Sequence, residues 1–300
     1  MDKLRRLAIL PLAILALTAC QGGGSGASGS AGASGDTAAA CDNAEGENLL
    51  ATICEEGKIQ ISTDPNYAPQ SFLTDDGTYE GFDIDVANEI GRRLGVEVEF
   101  VTPTFDLVQA GGWNGQWDAS VGSITITEAR KEVLDFTEPY YFTPAQIAAS
   151  TASGITSLDG LAGEAICVGA ATTYLDWING DLALGDGSEA TAVPEGATAV
   201  ALETDALCAE SIQAGRDEFA AWLSSSTTVQ QAIDDEVEIV AVGDPVFFEP
   251  LAVATDKSDP AHAELQAALD QIVADMHEDG TLTGFSEEWY GGLDLTKKAE

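Results

Sequence analysis

Basic side chains are scarce in this sequence. Lysine and arginine together number 12, against 51 aspartates and glutamates, and the formal net charge is −39. A surface of this sign repels the phosphates of nucleic acids and anionic lipid headgroups, so neither is expected as a partner. The acid excess indicates a solvated, self-repelling surface, which suits a salty exterior where screening is strong.

Metal-ligand and nucleophile motifs are also missing. The chain has two histidines, His262 and His277, and it has no Cys-x-x-Cys and no Asp-x-Asp-x-Asp-Gly loop, so no zinc or calcium site is predicted. It has no Gly-x-Ser-x-Gly motif, and its sequence suggests no pairing of a nucleophile with a histidine. We therefore expect no metal, no cofactor and no enzyme activity.

No apolar run is long enough to span a bilayer. A basic start, Lys3–Arg6, precedes the apolar run Leu7–Leu17 of eleven residues, whereas a spanning helix needs roughly twenty. The run ends in Leu17–Cys20, which resembles the lipobox of bacterial lipoproteins. Residues 1–19 are therefore predicted to be a signal peptide. Cys20 is predicted to carry a lipid that holds the exported protein on the outer face of the cell membrane.

Four cysteines remain after Cys20: Cys41, Cys54, Cys167 and Cys208. In an exported protein an even number of cysteines predicts disulfides, and four allow three pairings. We favour Cys41–Cys54, which closes a short loop before the folded region, and Cys167–Cys208, which ties a strand to a helix.

The segment Gln21–Ala40 consists almost entirely of Gly, Ser and Ala. Such a composition cannot bury a core, and as a flexible coil it would span roughly 25 Å. We therefore predict a lipidated tether and cysteine-containing lead-in over residues 20–57, followed by the folded region from Lys58 onwards.

Strands and helices are predicted to alternate along the folded region, which is typical of a mostly parallel α/β sheet. The predicted strands are Lys58–Ser62, Val96–Val101, Trp117–Gly122, Leu134–Phe136, Tyr140–Ser150, Ala165–Gly169, Phe219–Leu223, Val237–Val242 and Leu251–Thr255. The predicted helices with definite bounds are Asp83–Leu94, Thr173–Ile178 and Asp205–Ala214, and a short helix is predicted after Thr127. A long helix is predicted to be capped by Ser258–Pro260 and to bury Leu265, Leu269, Ile272 and Met276. A last short helix carries Trp289 and Tyr290. The Gly- and acid-rich stretch Gly180–Gly196 is predicted to be a surface insertion.

Two such α/β units and two extended crossings predict two lobes joined by a hinge. The first lobe is assigned residues 58–145 and 245–300, and the second lobe residues 146–244.

Four motifs resemble one known family. They are Thr63–Pro69, Gly81–Asp85, Ser123–Arg130 and Asp135–Tyr141, and their order and spacing are similar to those of the family 3 extracellular solute-binding proteins, which serve ABC importers of polar amino acids. The resemblance runs from about Lys58 to Gly291 and is stronger in the first lobe. It implies a two-lobed periplasmic-binding-protein type II fold with two crossover strands.

The motif around Arg130 indicates an anion site. An arginine fork suits a carboxylate, and the free N–H groups at a strand-to-helix junction attract an anion. By resemblance, Ser123, Thr125 and Arg130 would hold the ligand carboxylate, while Thr172 or Thr173 would close on it from the second lobe. Ala171 stands where the family usually has glycine.

Other pocket residues are implied by the same resemblance. Tyr67 and Phe105 would flank the ligand side chain, and Asp64 would face a polar or cationic group, although Asp64 also suits a turn before Pro65. Asp83 and Asp85 are better explained as acids at a helix N-terminus than as ligand contacts.

The sequence departs from the family where the ligand's ammonium would be received. The family usually has an Asp on a second-lobe strand, whereas this chain has Ser224. Asp217 and Glu218 lie too early unless the strand register shifts. We therefore expect a ligand that keeps a carboxylate but directs its positive charge toward Asp64, or that carries a masked or cyclic amine; a shifted register would instead allow ordinary amino acids.

Two aromatic residues near these motifs have no assigned role. Trp113 is placed near the cleft mouth, and Trp222 is either a pocket wall or core.

The expected function is capture of an amino acid or related small polar carboxylate by lobe closure, and its delivery by a monomeric protein to an ABC permease. The first lobe would bind the ligand before the second closes on it. A ligand sensor or a dehydratase-like enzyme on the same fold is the alternative.

Overall fold

The computed structural model describes residues 40–44 and 46–298. Its strands are β1 Lys58–Ser62, β2 Asn66–Tyr67, β3 Ser71–Leu73, β4 Tyr79–Glu80, β5 Glu97–Val101, β6 Ala119–Thr125, β7 Leu134–Phe136, β8 Tyr141–Ser150, β9 Ala165–Gly169, β10 Thr198–Leu202, β11 Ala221–Ser225 and β12 Ile239–Asp256. Its α-helices are α1 Leu49–Glu56, α2 Phe82–Leu94, α3 Phe105–Gln109, α4 Glu128–Lys131, α5 Thr173–Asn179, α6 Asp205–Gln213, α7 Ser226–Asp234, α8 Ala263–Glu278 and α9 Thr281–Trp289.

One long sheet runs through both lobes. Its strand order is β10-β9-β11-β8-β12-β6-β1-β5, with β7 added to β12. Strands β1, β5 and β6 are parallel to one another, as are β9, β10 and β11. The two groups are joined by β8 and β12, which pair antiparallel along most of β8. This is the two-lobed type II architecture with two crossover strands.

Each lobe has its own apolar core on both faces of its part of the sheet. In the first lobe α2, α8 and α9 pack Val86, Ile90, Leu269 and Leu282 against β1 and β6, and Trp113 and Leu134 cover the other face. In the second lobe Tyr174 and Trp177 cover one face, and Cys208 and Trp222 the other. The helices therefore flank a sheet that is buried on both sides, as parallel sheets require.

Both predicted disulfides are confirmed. Cys41 is bonded to Cys54, which ties the segment before the sheet to α1. Cys167 on β9 is bonded to the fully buried Cys208 on α6. The signal peptide, Cys20 and nearly all of the Gln21–Ala40 tether lie outside the described residues.

Two predicted elements were wrong, and others, among them α1, α7 and β10, were not predicted. Most of Val237–Val242 and all of Leu251–Thr255 lie in the single strand β12, because the register against β8 shifts between Val242 and Phe247 without ending the strand. Helix α8 begins at Ala263, and Ser258–Pro260 forms a turn held by Asp256. Helix α7 was not predicted, because its first turn is the serine- and threonine-rich Ser226–Thr228, whose side chains favour turns and caps.

None of the helices in the described part of the chain combines the length and the apolar character needed to cross a bilayer.

Candidate functional site

A pocket lies between the lobes, and eight of the nine predicted ligand-binding residues line it. It is bounded by the ends of first-lobe strands, by the start of α5 and of α6 in the second lobe, and by β12. Its lining residues are Asp64, Tyr67, Phe105, Gly122, Ser123, Thr125, Arg130, Gly169, Ala170, Thr172, Thr173, Tyr174, Glu203, Thr204, Asp205 and Glu249. The ninth predicted residue, Ser224, lies behind this lining.

Arg130 provides the cation of the pocket. Thr127 caps α4 by accepting the Arg130 N–H at 3.2 Å, which fixes the arginine one turn into that helix. The side chain lies over the Phe105 ring, 5.2 Å from its centroid. Its guanidinium donates to the carbonyl of Thr125 at 3.0 Å, to that of Ala171 in the second lobe at 3.1 Å, and to Gln109 at 3.4 Å.

Two of the five guanidinium N–H groups of Arg130 therefore have no partner among the described residues. Arg130 is only 3% exposed, and it takes part in no ion pair within residues 40–44 and 46–298. Burial lowers its pKa to about 10, although Asp176 and Glu249 act against that shift from a distance. A buried cation with open donors is the arrangement that favours an anionic group.

Glu249 on β12 is a site residue that the sequence reasoning missed. Its carboxylate accepts hydrogen bonds from Thr125 at 2.7 Å, from Tyr174 at 2.7 Å and from Thr173. Burial raises the pKa of Glu249 while the three hydroxyl groups oppose the shift. The hydroxyls of Thr125 and Thr173 thus bind an internal carboxylate that links the two lobes.

Ser123 lines the pocket, but its hydroxyl group donates its proton to Asp83, which lies outside the lining. Its backbone has a φ of 54°, and its Oγ donates to Asp83 at 2.7 Å. Tyr140 also donates to Asp83, at 2.8 Å. Asp83 is fully buried in the first turn of α2, and burial raises its pKa to about 7. Asp83 therefore lies behind Ser123 and is absent from the residues lining the pocket, as a helix N-terminal acid would be.

Asp205, the first residue of α6, is the second acid that the sequence reasoning missed. Its Oδ1 accepts the Gly169 N–H at 2.8 Å, and its Oδ2 accepts the Ser224 hydroxyl at 2.9 Å. A Cβ on Gly169 would lie 2.8 Å from Oδ1, so this approach requires glycine. Burial raises the pKa of Asp205 to about 7 against these two hydrogen bonds.

Ser224 is thus fully buried and supports Asp205 from behind. Asp217 and Glu218 are exposed and precede β11, which begins at Ala221. Neither lines the pocket, so the register shift that would carry them into it does not occur in this structure.

Asp64 forms the turn contact considered for it and also lines the pocket. Its Oδ1 accepts the Asn66 N–H at 2.8 Å, a turn contact, and the side chain also lines the pocket. Burial raises its pKa. Tyr67 hydrogen bonds through its hydroxyl to that of Tyr174 at 3.2 Å, across the two lobes.

Thr172 and Thr173 begin the second-lobe helix α5. Thr172 is its N-cap, and its hydroxyl donates to the Gly169 carbonyl at 2.8 Å. Ala171, just before them, has a left-handed φ of 61°, the conformation that glycine adopts without strain. Its carbonyl accepts from Arg130, so this turn also joins the lobes.

Further contacts also hold the lobes together. Gln70, fully buried in the first lobe, donates to Ser225 at 2.9 Å and to Thr227 at 2.7 Å in the second. The Gly180–Gly196 segment, predicted to be a surface insertion, is mostly exposed, and it also contacts the first lobe through an antiparallel bridge between Leu184 and Thr127. Leu184 is buried at this contact, which explains why the segment does not stand free.

The two tryptophans of uncertain role are core residues. Trp113 is 2% exposed, donates from its indole to the Val108 carbonyl at 2.9 Å and packs against Trp117, so its placement near the cleft mouth was wrong. Trp222 is fully buried on the face of the second-lobe sheet that carries Cys167 and Cys208.

Comparison with known proteins agrees with this architecture. The L-cystine-binding protein TcyJ of Escherichia coli is 26% identical over 254 residues, covering 84% of this chain and 89% of that protein. The lysine/arginine/ornithine-binding periplasmic protein of Escherichia coli is 27% identical over 242 residues, covering 77% and 87%.

A solved structure gives the same result. The ancestral amino acid-binding protein AncCDT-1, a precursor of cyclohexadienyl dehydratase, superposes with a TM-score of 0.68 at 28% identity, covering 80% of this chain and 99% of that one. Residues 59–292 match the sequence pattern of the bacterial extracellular solute-binding proteins, family 3. The chain therefore belongs to the family 3 bacterial extracellular solute-binding proteins.

Proposed function

We propose that this protein captures an amino acid outside the cell and delivers it to the permease of an ABC importer. The observation that carries the proposal is Arg130, whose buried guanidinium lines a pocket between two lobes and has two N–H groups without a partner among the described residues. The named ligands of the two curated relatives are amino acids, which supports the same class of ligand here.

The pocket offers complementary groups for a zwitterion. The ligand carboxylate would take the open donors of Arg130, since paired N–H groups of arginine match the two oxygens of a carboxylate. The ligand's amino group would donate to a carboxylate of the lining. Tyr67 and Phe105 would enclose the ligand's side chain from the first lobe.

Lobe closure would couple binding to transport. Arg130 contacts the second lobe through Ala171, and Glu249 accepts hydrogen bonds from hydroxyl groups of both lobes. A ligand that touches both sides of the pocket favours the closed form, because contacts made only on closure shift the equilibrium toward it. The permease would then distinguish the closed protein from the open one.

We further propose that the protein is anchored through a lipid on Cys20. The lipobox-like Leu17–Cys20 and the Gly/Ser/Ala segment after it support this placement. The membership in a family of extracellular proteins supports export.

Titration calorimetry with single L-amino acids tests the binding function. Replacing Arg130 by Ala should lower the affinity by about a hundredfold or more, equivalent to roughly 3 kcal/mol. Arg92, which is exposed and paired with Glu89, provides the matched control, because Arg92→Ala removes the same charge far from the pocket. An Arg130→Ala variant that binds its amino acid like the parent protein would remove Arg130 from the site.

A further inference from the structure

The pocket carries more negative than positive charge. The carboxylates of Asp64, Asp205 and Glu249 line it, as does that of the exposed Glu203, whereas Arg130 is the only cation among the described lining residues. Asp205 is 7% exposed and Glu249 is 2% exposed, so water screens these two charges weakly. A zwitterion brings no net charge and would leave this excess unchanged.

The hydrogen-bonding capacity of these groups is unequally used. Glu249 is already bound by three hydroxyl groups. Asp205 accepts two hydrogen bonds and Asp64 accepts one, whereas a carboxylate offers about four lone-pair sites. The hydrogen-bonding groups of the pocket that remain unused are therefore two N–H donors on Arg130 and the free acceptor sites of Asp64 and Asp205.

We infer that this pocket selects an amino acid with one carboxylate and two positively charged groups, and that Asp205 and Asp64 each receive one of those groups. The inference rests on the proposed function. The acidic side chains alone would not define a ligand, but the buried Arg130 with its open donors independently requires an anionic group on the same molecule. One carboxylate balances Arg130, and each positive group then meets one aspartate.

The raised pKa values of Asp205 and Asp64 also favour a ligand with two positively charged groups. Burial raises the pKa of Asp205, and the neighbouring carboxylates of Asp64 and Glu249 raise it further. Burial also raises the pKa of Asp64. A buried carboxylate of this kind is stabilised either by a proton or by a cation. A ligand with a second positive group supplies the cation that a neutral side chain lacks.

Ser224 acts on the ligand through Asp205. Its hydroxyl and the Gly169 N–H hold the two carboxylate oxygens from behind, which leaves the remaining lone pairs for the pocket. Ser224 is therefore a positioning residue. Its loss should reproduce, in a weaker form, the change in ligand binding caused by Asp205→Asn, which a simple packing defect would not reproduce.

Matched pairs of ligands test the charge selection. L-Arginine is compared with L-citrulline, its neutral isostere, and L-lysine with Nε-acetyl-L-lysine, by calorimetry at neutral pH and physiological salt. In the parent protein at least one charged member should bind at least about tenfold more tightly than its neutral partner. Asp64→Asn and Asp205→Asn are compared. The variant that removes the partner of the side-chain charge should reduce that ratio, and the variant that removes the partner of the α-ammonium should weaken both members of a pair. Ser224→Ala should follow Asp205→Asn in a weaker form, whereas Asp217→Asn, which changes an exposed acid outside the pocket, should leave both affinities unchanged.

Each outcome has a separate meaning. If both neutral ligands bind within less than about tenfold of their charged partners, the charge selection is overturned, while amino-acid capture stays intact. An Asp205→Asn variant that binds both members of a pair as tightly as the parent protein removes Asp205 from the site. Tighter binding of agmatine than of L-arginine shows that no carboxylate is required and also overturns the inference. If no amino acid binds at all, the proposed function itself fails.

Discussion

Gly185 offers the sharpest test of whether lobe closure controls affinity. This glycine lies in the second-lobe segment Gly180–Gly196, where its N–H donates to the Ile126 carbonyl of the first lobe at 2.9 Å. A Cβ at this position would lie 2.6 Å from Ile126 Cγ2, 3.1 Å from Lys131 Cδ and 3.2 Å from the Ile126 carbonyl oxygen. Gly185→Ala therefore forces the two segments apart.

The cost of this substitution should fall on the closed form alone. Overpacking a close contact costs about 1–3 kcal/mol, and here the contact joins two lobes that separate when the protein opens. The strain of the closed form then offsets part of the free energy that ligand binding provides. We expect a loss of affinity of about 5- to 150-fold, although residue 185 is not among the residues lining the pocket.

Calorimetry and stopped-flow dissociation measure this effect, and the loss should appear mainly as faster dissociation. Gly284→Ala is the matched control, because that glycine lies in α9 with nothing within 4 Å of its added Cβ. The control should keep the parent affinity and gain up to about 1 kcal/mol of stability from helix propensity. Parent-like affinity in Gly185→Ala would refute the coupling between this contact and ligand binding.

Three further predictions concern stability and anchoring. Asp83 and Asp205 have pKa values raised to about 7, so the folded state binds protons more tightly than the unfolded state between about pH 4 and 7. The melting temperature should therefore fall as the pH rises through that range. Asp205→Asn should reduce the dependence of the melting temperature on pH in thermal scans, and an unchanged dependence would contradict the assignment. The Cys167–Cys208 bridge spans 41 residues, so replacing both cysteines by serine should lower the free energy of unfolding by roughly 3–4 kcal/mol in denaturant titrations without reductant, and a loss near zero would contradict the estimate. Cys20→Ala should release the protein from membranes or leave it unprocessed, and a mature-sized product that still fractionates with membranes would count against lipid anchoring.

The elements whose periodicity is strong were predicted well from the sequence. Helix α2 was expected over Asp83–Leu94 and forms over Phe82–Leu94, with Gly95 ending it in the left-handed conformation. The crossover strand β8 was expected over Tyr140–Ser150 and forms over Tyr141–Ser150. The failure at β12 has a local cause. Gly243 and Pro245 are signals of a turn, and only pairing with β8 on both sides of the shift shows that the strand continues.

The first-lobe part of the pocket was predictable because its residues lie in short contiguous motifs. Ser123, Thr125 and Arg130 come from one strand-to-helix junction, so their proximity follows from local geometry alone. Glu249 lies 119 residues beyond Arg130 in the chain and reaches the pocket only because β12 crosses between the lobes. The available signal was a single acid within the apolar run from Val246 to Ala254, since an unpaired charge is rarely buried in a strand.

Asp205 was overlooked for a different physical reason. An acid in the first turn of a helix needs no ligand to explain it, because the helix dipole already favours it there. The sequence therefore directed attention to the strand that carries Ser224, where an acceptor was expected and a hydroxyl was found. In the folded protein that hydroxyl donates to Asp205, so the serine and the aspartate form one unit. The carboxylate that β11 does not supply is thus provided in the pocket by α6. The expectation that the ligand must direct its positive charge toward Asp64 or carry a masked or cyclic amine, which rested on Ser224, therefore loses its basis.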